Sequence, residues 1–112
     1  MNNEEKKNNI RRQLQEAEDR HIENTRYLDM MEDIMSRSIA RSQMARDNNG
    51  LSSAEIERLS DIESNGYRCI NAISDKRDQL QKEYNNQTEQ YMNELKKTEN
   101  EEKEGNNSSE RE

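Results

Sequence analysis

Three places in this chain carry side chains of the kind that does chemistry. Glu18-x-x-His21 sets a carboxylate and an imidazole one helical turn apart, the spacing with which helical bundles ligate a di-iron centre. Such a centre takes two of these motifs plus two inward carboxylates, and the chain has one histidine. A metal reading would therefore need a second copy; the other reading makes His21 a polar residue on a helix seam. Cys69, the single cysteine, has Arg68 as its basic neighbour and no second histidine to activate it. It reads as a structural thiol, because a nucleophilic one needs a base or a cationic field beside it. Asp29, Glu32 and Asp33 read as the solvated face of a helix. With no Gly-rich phosphate loop, no Ser/His/Asp set and no Cys/His cluster, the expectation is a non-enzymatic protein with no catalytic residues, no cofactor and no metal.

The composition limits what elements can position anything. In 112 residues, 27% are hydrophobic and 38% charged, with no Trp, Phe or Pro. That supports a seam and not a globular core, and two paired helices alone bury little surface. A partner is therefore expected. The formal charge of -7 is uneven: residues 1–50 hold nine basic and ten acidic side chains, residues 51–112 nine and fifteen. Bases interleaved with acids do not form the cationic stripe that phosphates require, so nucleic acid is not an expected partner. The opening residues lack the apolar core of a signal peptide, and no stretch is long and apolar enough for a membrane span. The expectation is a protein that is cytoplasmic at synthesis, without membrane insertion, and whose export would use a route other than a cleaved signal. One cysteine allows no internal disulfide.

Periodicity predicts an all-α, antiparallel two-helix hairpin. Core-type residues recur at spacings of three and four from Ile10 through Leu14, Ala17, His21, Asn24, Leu28, Met31, Met35, Ser38 and Ser42 to Ala45, one helical face. The series resumes at Ile56 and runs through Leu59, Glu63, Gly66, Ile70, Ile73, Arg77, Leu80, Tyr84 and Gln87 to Tyr91. Between them, at 48–52, Gly50 follows two asparagines, Ser52 and Glu55 have the spacing of a capping box, and Leu51 and Ile56 that of a hydrophobic staple. Helices of about 4–47 and 53–97 follow. Residues 1–8 read as a polar extension, 9–98 as the hairpin, and 99–112 as a frayed end and disordered acidic tail. Gly66 admits a second reading, as a real break after a short helix over 53–63.

Folding the two series onto each other pairs Ala17 with Tyr84, His21 with Leu80, Asn24 with Arg77, Met35 with Gly66, and Ser38 with Glu63. Small faces large in the first and fourth layers, as close packing requires. Polar layers such as Asn24/Arg77 fix register at a cost in stability. Apolar residues left over by this seam are Tyr27, Met30, Ile34 and Ile39 on the first helix and Ile62, Tyr67 and Cys69 on the second. They form the candidate partner-binding band, suited to docking another helix or helix pair. Self-association through the same surface is the other reading.

A short two-helix chain with a glycine-containing bend resembles the WXG-like proteins of bacterial type VII secretion. The bend here reads Asn49-Gly50-Leu51, without the Trp-x-Gly signature. The Tyr-x-x-x-Asp/Glu export signal is also missing: Tyr84 reaches an acid one residue too late, at Glu89, and Tyr91 one too early, at Glu94. The run from Ile10-Arg11-Arg12-Gln13-Leu14-Gln15-Glu16 to Glu23-Asn24-Thr25-Arg26, with the Gln- and Glu-rich second helix, looks like the small helical partners of LXG toxins in Gram-positive bacteria, in the subtype lacking its own export signal. The resemblance spans about residues 5–100. It implies a chaperone or targeting factor that bundles with the helical N-terminal domain of an LXG toxin, alongside a second small WXG-like protein. A homo-oligomeric coiled-coil scaffold is the alternative from another class.

Overall fold

The computed structural model describes residues 2–111, with side chains through 105. It is an all-helical hairpin: α1 spans Asn3–Arg46 and α2 spans Ser53–Arg111. Asn2 caps α1, its side-chain oxygen accepting the Glu5 N–H at 2.8 Å while its carbonyl accepts Lys6 N–H. That engages donors which a helix N-terminus otherwise leaves open. Glu4 and Glu5 then place negative charge in the first turn, where the helix dipole favours it.

The bend forms as its residues predict. Gly50 takes φ +93°, a left-handed conformation that costs a residue with a Cβ but not glycine. Ser52 starts α2: its Oγ accepts the Glu55 N–H at 3.1 Å and its hydroxyl donates to Glu55 Oε1 at 3.0 Å. Its carbonyl accepts Ile56 N–H, the first bond of the helix. The staple does not close in the same way, because Leu51 is half-buried but Ile56 is 42% exposed.

The contacts fall into two compact units, Met1–Ile22 with Leu80–Glu112, and Glu23–Gln79. In the first unit the buried apolar residues are Ile10 and Ala17, and the His21 and Tyr84 rings stack with centroids 4.3 Å apart and planes within 6°. Sequence pairing set Tyr84 against Ala17 and His21 against Leu80; the observed partner of His21 is one turn further along α2. In the second unit Leu28, Ile39 and Ile73 are buried. Here Ile39 closes on Gly66, where pairing had set Met35. A Cβ added at Gly66 would meet Ile39 Cγ1 at 2.6 Å, with the Met35 carbonyl oxygen at 3.9 Å. The shift at both layers is the same single turn. The covered positions also drift from the heptad series, with Ile39 buried beside Ser38 and Thr25 half-buried where the series has Asn24, as a straight helix drifts from a seven-residue repeat.

Gly66 lies inside a continuous α2 and is not a break. Its role is steric, allowing the helices to approach beside Ile39. At another layer Ser42 Oγ donates to the Leu59 carbonyl at 2.7 Å, so a buried hydroxyl finds a backbone acceptor. Thr25, not Asn24, is the half-buried residue of its turn, and Arg77 reaches Asp29 and Glu32 at 2.8 and 2.6 Å. Glu63 is bound by Arg46 at 2.9 Å and not by Ser38. The second helix also continues past Lys97. Thr98 is buried, with its hydroxyl donating to the Glu94 carbonyl at 2.9 Å, and Glu102 pairs with Lys7. The stretch from 99 to 111, expected as a frayed and disordered tail, is helical; Glu112 lies outside the described residues. Because α1 begins at Asn3, it supplies a surface for these later α2 residues.

Candidate functional site

The candidate band divides once its residues are placed. Ile39 leaves it: at 5% exposure it is core, and its packing on Gly66 explains why. A seam written every three and four residues chose Ser38 in that turn, but a straight helix drifts relative to a heptad repeat, and here Ser38 and Ile39 share the covered face. The other six are open. Tyr27 is 58% exposed, Met30 54% and Ile34 52%, and Ile62, Tyr67 and Cys69 are exposed as well.

These six do not form one surface. At about 100° per residue, Tyr27, Met30 and Ile34 lie within about 60° of one another on α1, and Ile62 and Cys69 within about 20° on α2. Tyr67 is turned about 140° away from Ile62. Contacts between the helices identify the two flanks of the Glu23–Gln79 unit. Gln43 Nε2 donates to Tyr67 Oη at 3.4 Å, and Arg77 bridges to Asp29 and Glu32. Asp29, Glu32, Gln43 and Tyr67 therefore mark one flank of the seam. Tyr27, Met30 and Ile34 are rotated to the other side of α1, and Ile62 and Cys69 to the matching side of α2. The result is a polar flank carrying Tyr67 and an apolar flank carrying the remaining five.

The two flanks also differ in electrostatics. On the polar flank the carboxylates of Asp29 and Glu32 converge on one guanidinium, and their hydrogen bonds raise the Arg77 pKa further above its usual value. Arg46 binds Glu63 through two nitrogens, Nε and Nη2, at 3.0 and 2.9 Å. This fork geometry holds a carboxylate in place, and Glu63 is only 8% exposed. On the apolar flank the surface is made of Met, Tyr and Ile side chains with Cys69 among them. Adaptable thioether and aromatic groups of this kind suit contacts with another helix.

Among the described residues no group of three or more His, Cys, Asp or Glu is placed to hold a metal ion. Glu18 and His21 lie in the unit where His21 packs on Tyr84. No helix is long and apolar enough to cross a membrane among the described residues. Comparison of the chain with protein-family models, with characterised proteins and with solved structures finds no match. The apolar flank at Tyr27, Met30, Ile34, Ile62 and Cys69 is thus the feature that a functional reading has to explain.

Proposed function

We propose that this hairpin is a non-enzymatic partner subunit that bundles side by side with the helical N-terminal domain of an LXG toxin of the type VII secretion system. In this role it stabilises the toxin or directs it for export, together with a second small WXG-like protein that carries the export signal. The observation that carries the reading is the exposed apolar flank of the Glu23–Gln79 unit. Tyr27, Met30 and Ile34 stand more than half exposed on a chain with only five buried apolar residues among those described. A protein with so small an interior gains more from covering such a flank than from leaving it in water, at about 25 cal/mol per Å² of apolar surface removed. The bend, lacking Trp-x-Gly, and the tyrosines, lacking a correctly spaced acid, support a partner that is escorted and not an autonomous substrate.

The test is co-expression with the product of the neighbouring long open reading frame, followed by co-purification. The complex should form with the wild-type chain and be lost with Ile34→Asp, while the isolated variant keeps its helical circular dichroism. Retained binding by Ile34→Asp would remove the proposed surface. A stable, self-sufficient dimer or tetramer by light scattering, with no co-purifying toxin domain, would favour the homo-oligomeric scaffold instead.

A further inference from the structure

The sequence contains two Asn-Gly steps, Asn49-Gly50 and Asn65-Gly66, and the fold gives them opposite settings. In such a step the glycine nitrogen lies within reach of the asparagine side-chain amide carbon, with no Cβ on the glycine to crowd the approach. At the bend, Asn49 and Gly50 are both exposed, and a Cβ at Gly50 would meet nothing within 4 Å. The backbone hydrogen bonds on either side run from Asn48 N–H to the Ala45 carbonyl at 3.2 Å and from Ile56 N–H to the Ser52 carbonyl at 3.0 Å. Among the described residues neither these nor the two helices engage the Gly50 N–H. Asn65 and Gly66 lie inside α2, where the helical pattern directs the Gly66 N–H to the Ile62 carbonyl. Gly66 is also buried against the Ile39 side chain. Attack at Asn65 therefore requires a helical hydrogen bond to break and a peptide plane to turn against a packed neighbour. At Asn49 it requires neither.

We infer that Asn49 is a site of spontaneous deamidation which the fold leaves open, and that Asn65 is a matching site which the fold protects. In the reaction the Gly50 nitrogen gives its proton to a solvent base and bonds to Asn49 Cγ. The Cγ–Nδ2 bond breaks, Nδ2 leaves as ammonia with a proton from solvent, and a cyclic imide remains. Water then opens the ring. Cleavage between the Gly50 nitrogen and Cγ gives aspartate; cleavage between that nitrogen and the backbone carbonyl carbon gives isoaspartate, with the main chain running through Cγ. The balance is water taken up and ammonia released, with no oxidation or reduction. Either product places a new negative charge in the bend. The contacts that anchor the bend, Asn48 on Ala45 and Ser52 on Glu55, lie on either side of the reacting link and do not use it. The inference is independent of the docking surface proposed above.

The experiment incubates the full chain in mildly alkaline buffer, samples it over time and digests each sample with trypsin. Cleavage after Arg46, Arg58 and Arg68 puts the two Asn-Gly steps on separate peptides, 47–58 and 59–68, so mass spectrometry reads each one. Peptide 47–58 should gain the mass of an amide-to-acid exchange at Asn49 at least about tenfold faster than peptide 59–68 gains it at Asn65, because reaction at Asn65 waits on local opening of a packed helix. The rate at Asn49 should rise with pH, since the nitrogen attacks after losing its proton. In the two isolated peptides, incubated under the same conditions, the rates should become similar. Asn49→Gln, whose longer side chain closes a less favourable ring, should remove the acidic variant seen by ion exchange. Equal rates in the full chain, a faster reaction at Asn65, or no reaction at Asn49 while the isolated peptide 47–58 converts overturns the inference. A difference that persists undiminished in the isolated peptides assigns the control to neighbouring sequence and overturns it as well.

Discussion

The side chain of Ile39 occupies the space that a Cβ at Gly66 would need, with Cγ1 at 2.6 Å and Cδ1 at 2.9 Å from it. Helix propensity by itself favours Ala over Gly by about 1 kcal/mol. Cγ1 is close to the backbone of a β-branched side chain, however, and cannot swing aside as freely as the end of a long one. Gly66→Ala should therefore destabilise the hairpin by roughly 1–2 kcal/mol, as overpacked sites do. In an Ile39→Ala background, which removes both obstructing atoms, the same substitution should be neutral or stabilising. Thermal and urea unfolding of the four chains gives the coupling energy. A stabilising Gly66→Ala in the wild-type background would show that the helices do not approach here.

His21 and Tyr84 report on register. An offset stack of two rings contributes about 0.5–1.5 kcal/mol beyond the area it buries. A cycle combining His21→Ala with Tyr84→Ala should return a coupling in that range, and one combining His21→Ala with Leu80→Ala a smaller value. A larger coupling to Leu80 would restore the register in which His21 faces that residue.

The elements were more legible than their fit. The bend was readable because Gly50, Ser52 and Glu55 act locally, each satisfying a backbone requirement within a few residues of itself. The seam positions were readable because a repeat of apolar residues need only match helix geometry. Axial offset is different: it is fixed by contacts distant in sequence, such as Ile39 on Gly66 and His21 on Tyr84, which the spacing within either helix does not specify. Rotation is a separate matter: Ile39 lies in the core because a straight helix drifts from a heptad repeat, and Tyr67 lies on the flank where Gln43 reaches it. The α2 extension was missed because Thr98 and Glu102 are polar, and their burial or pairing depends on residues at the other end of the chain. Of the candidate surface, the surplus of Tyr27, Met30, Ile34, Ile62 and Cys69 was visible in the sequence. Its separation from Tyr67 required the flanks to be assigned.

The Arg46–Glu63 pair should be asymmetric to mutation. Removing the half-exposed Arg46 leaves a nearly buried carboxylate without its donors, and an unsatisfied buried group costs about 1–3 kcal/mol, more when charged. Replacing Glu63 by Leu removes the group that needs solvation and leaves Arg46 free to turn toward water, a change that is often close to neutral. Arg46→Ala should therefore lower stability more than Glu63→Leu does. Urea denaturation with equal m-values gives the comparison, and a larger loss for Glu63→Leu would mean that the pair is net stabilising.

Ile34 and Ile39 stand five residues apart with opposite surroundings, one 52% and the other 5% exposed. Ile34→Asp should change unfolding free energy by no more than about 0.5 kcal/mol, as surface substitutions do. Ile39→Asp buries a carboxylate against Gly66 and should cost several kcal/mol, enough to unfold a hairpin with so small a core. Comparable losses in the two variants would mean that Ile34 is covered in the free protein, through self-association or a different helix rotation.

Lys7 and Glu102 test whether α2 continues as a packed helix beyond Lys97. Hydrogen bonding to Glu102 raises the Lys7 pKa above the usual lysine value; burial opposes this, and the charges of Glu102, Glu4 and Glu99 add to it. A raised folded-state pKa means that the contribution is fully present below the unfolded lysine pKa and is lost as pH rises through the folded one. Glu102→Gln should shift the Lys7 amine titration downward when followed by NMR. Truncation after Lys97 removes both this partner and Thr98, whose hydroxyl and methyl are covered at 7% exposure. The expected loss is about 1 kcal/mol, a fall in Tm of about 4–8 °C for a domain near this size. An unchanged Tm together with an unchanged Lys7 titration would mean that residues beyond Lys97 contribute no packing to the hairpin.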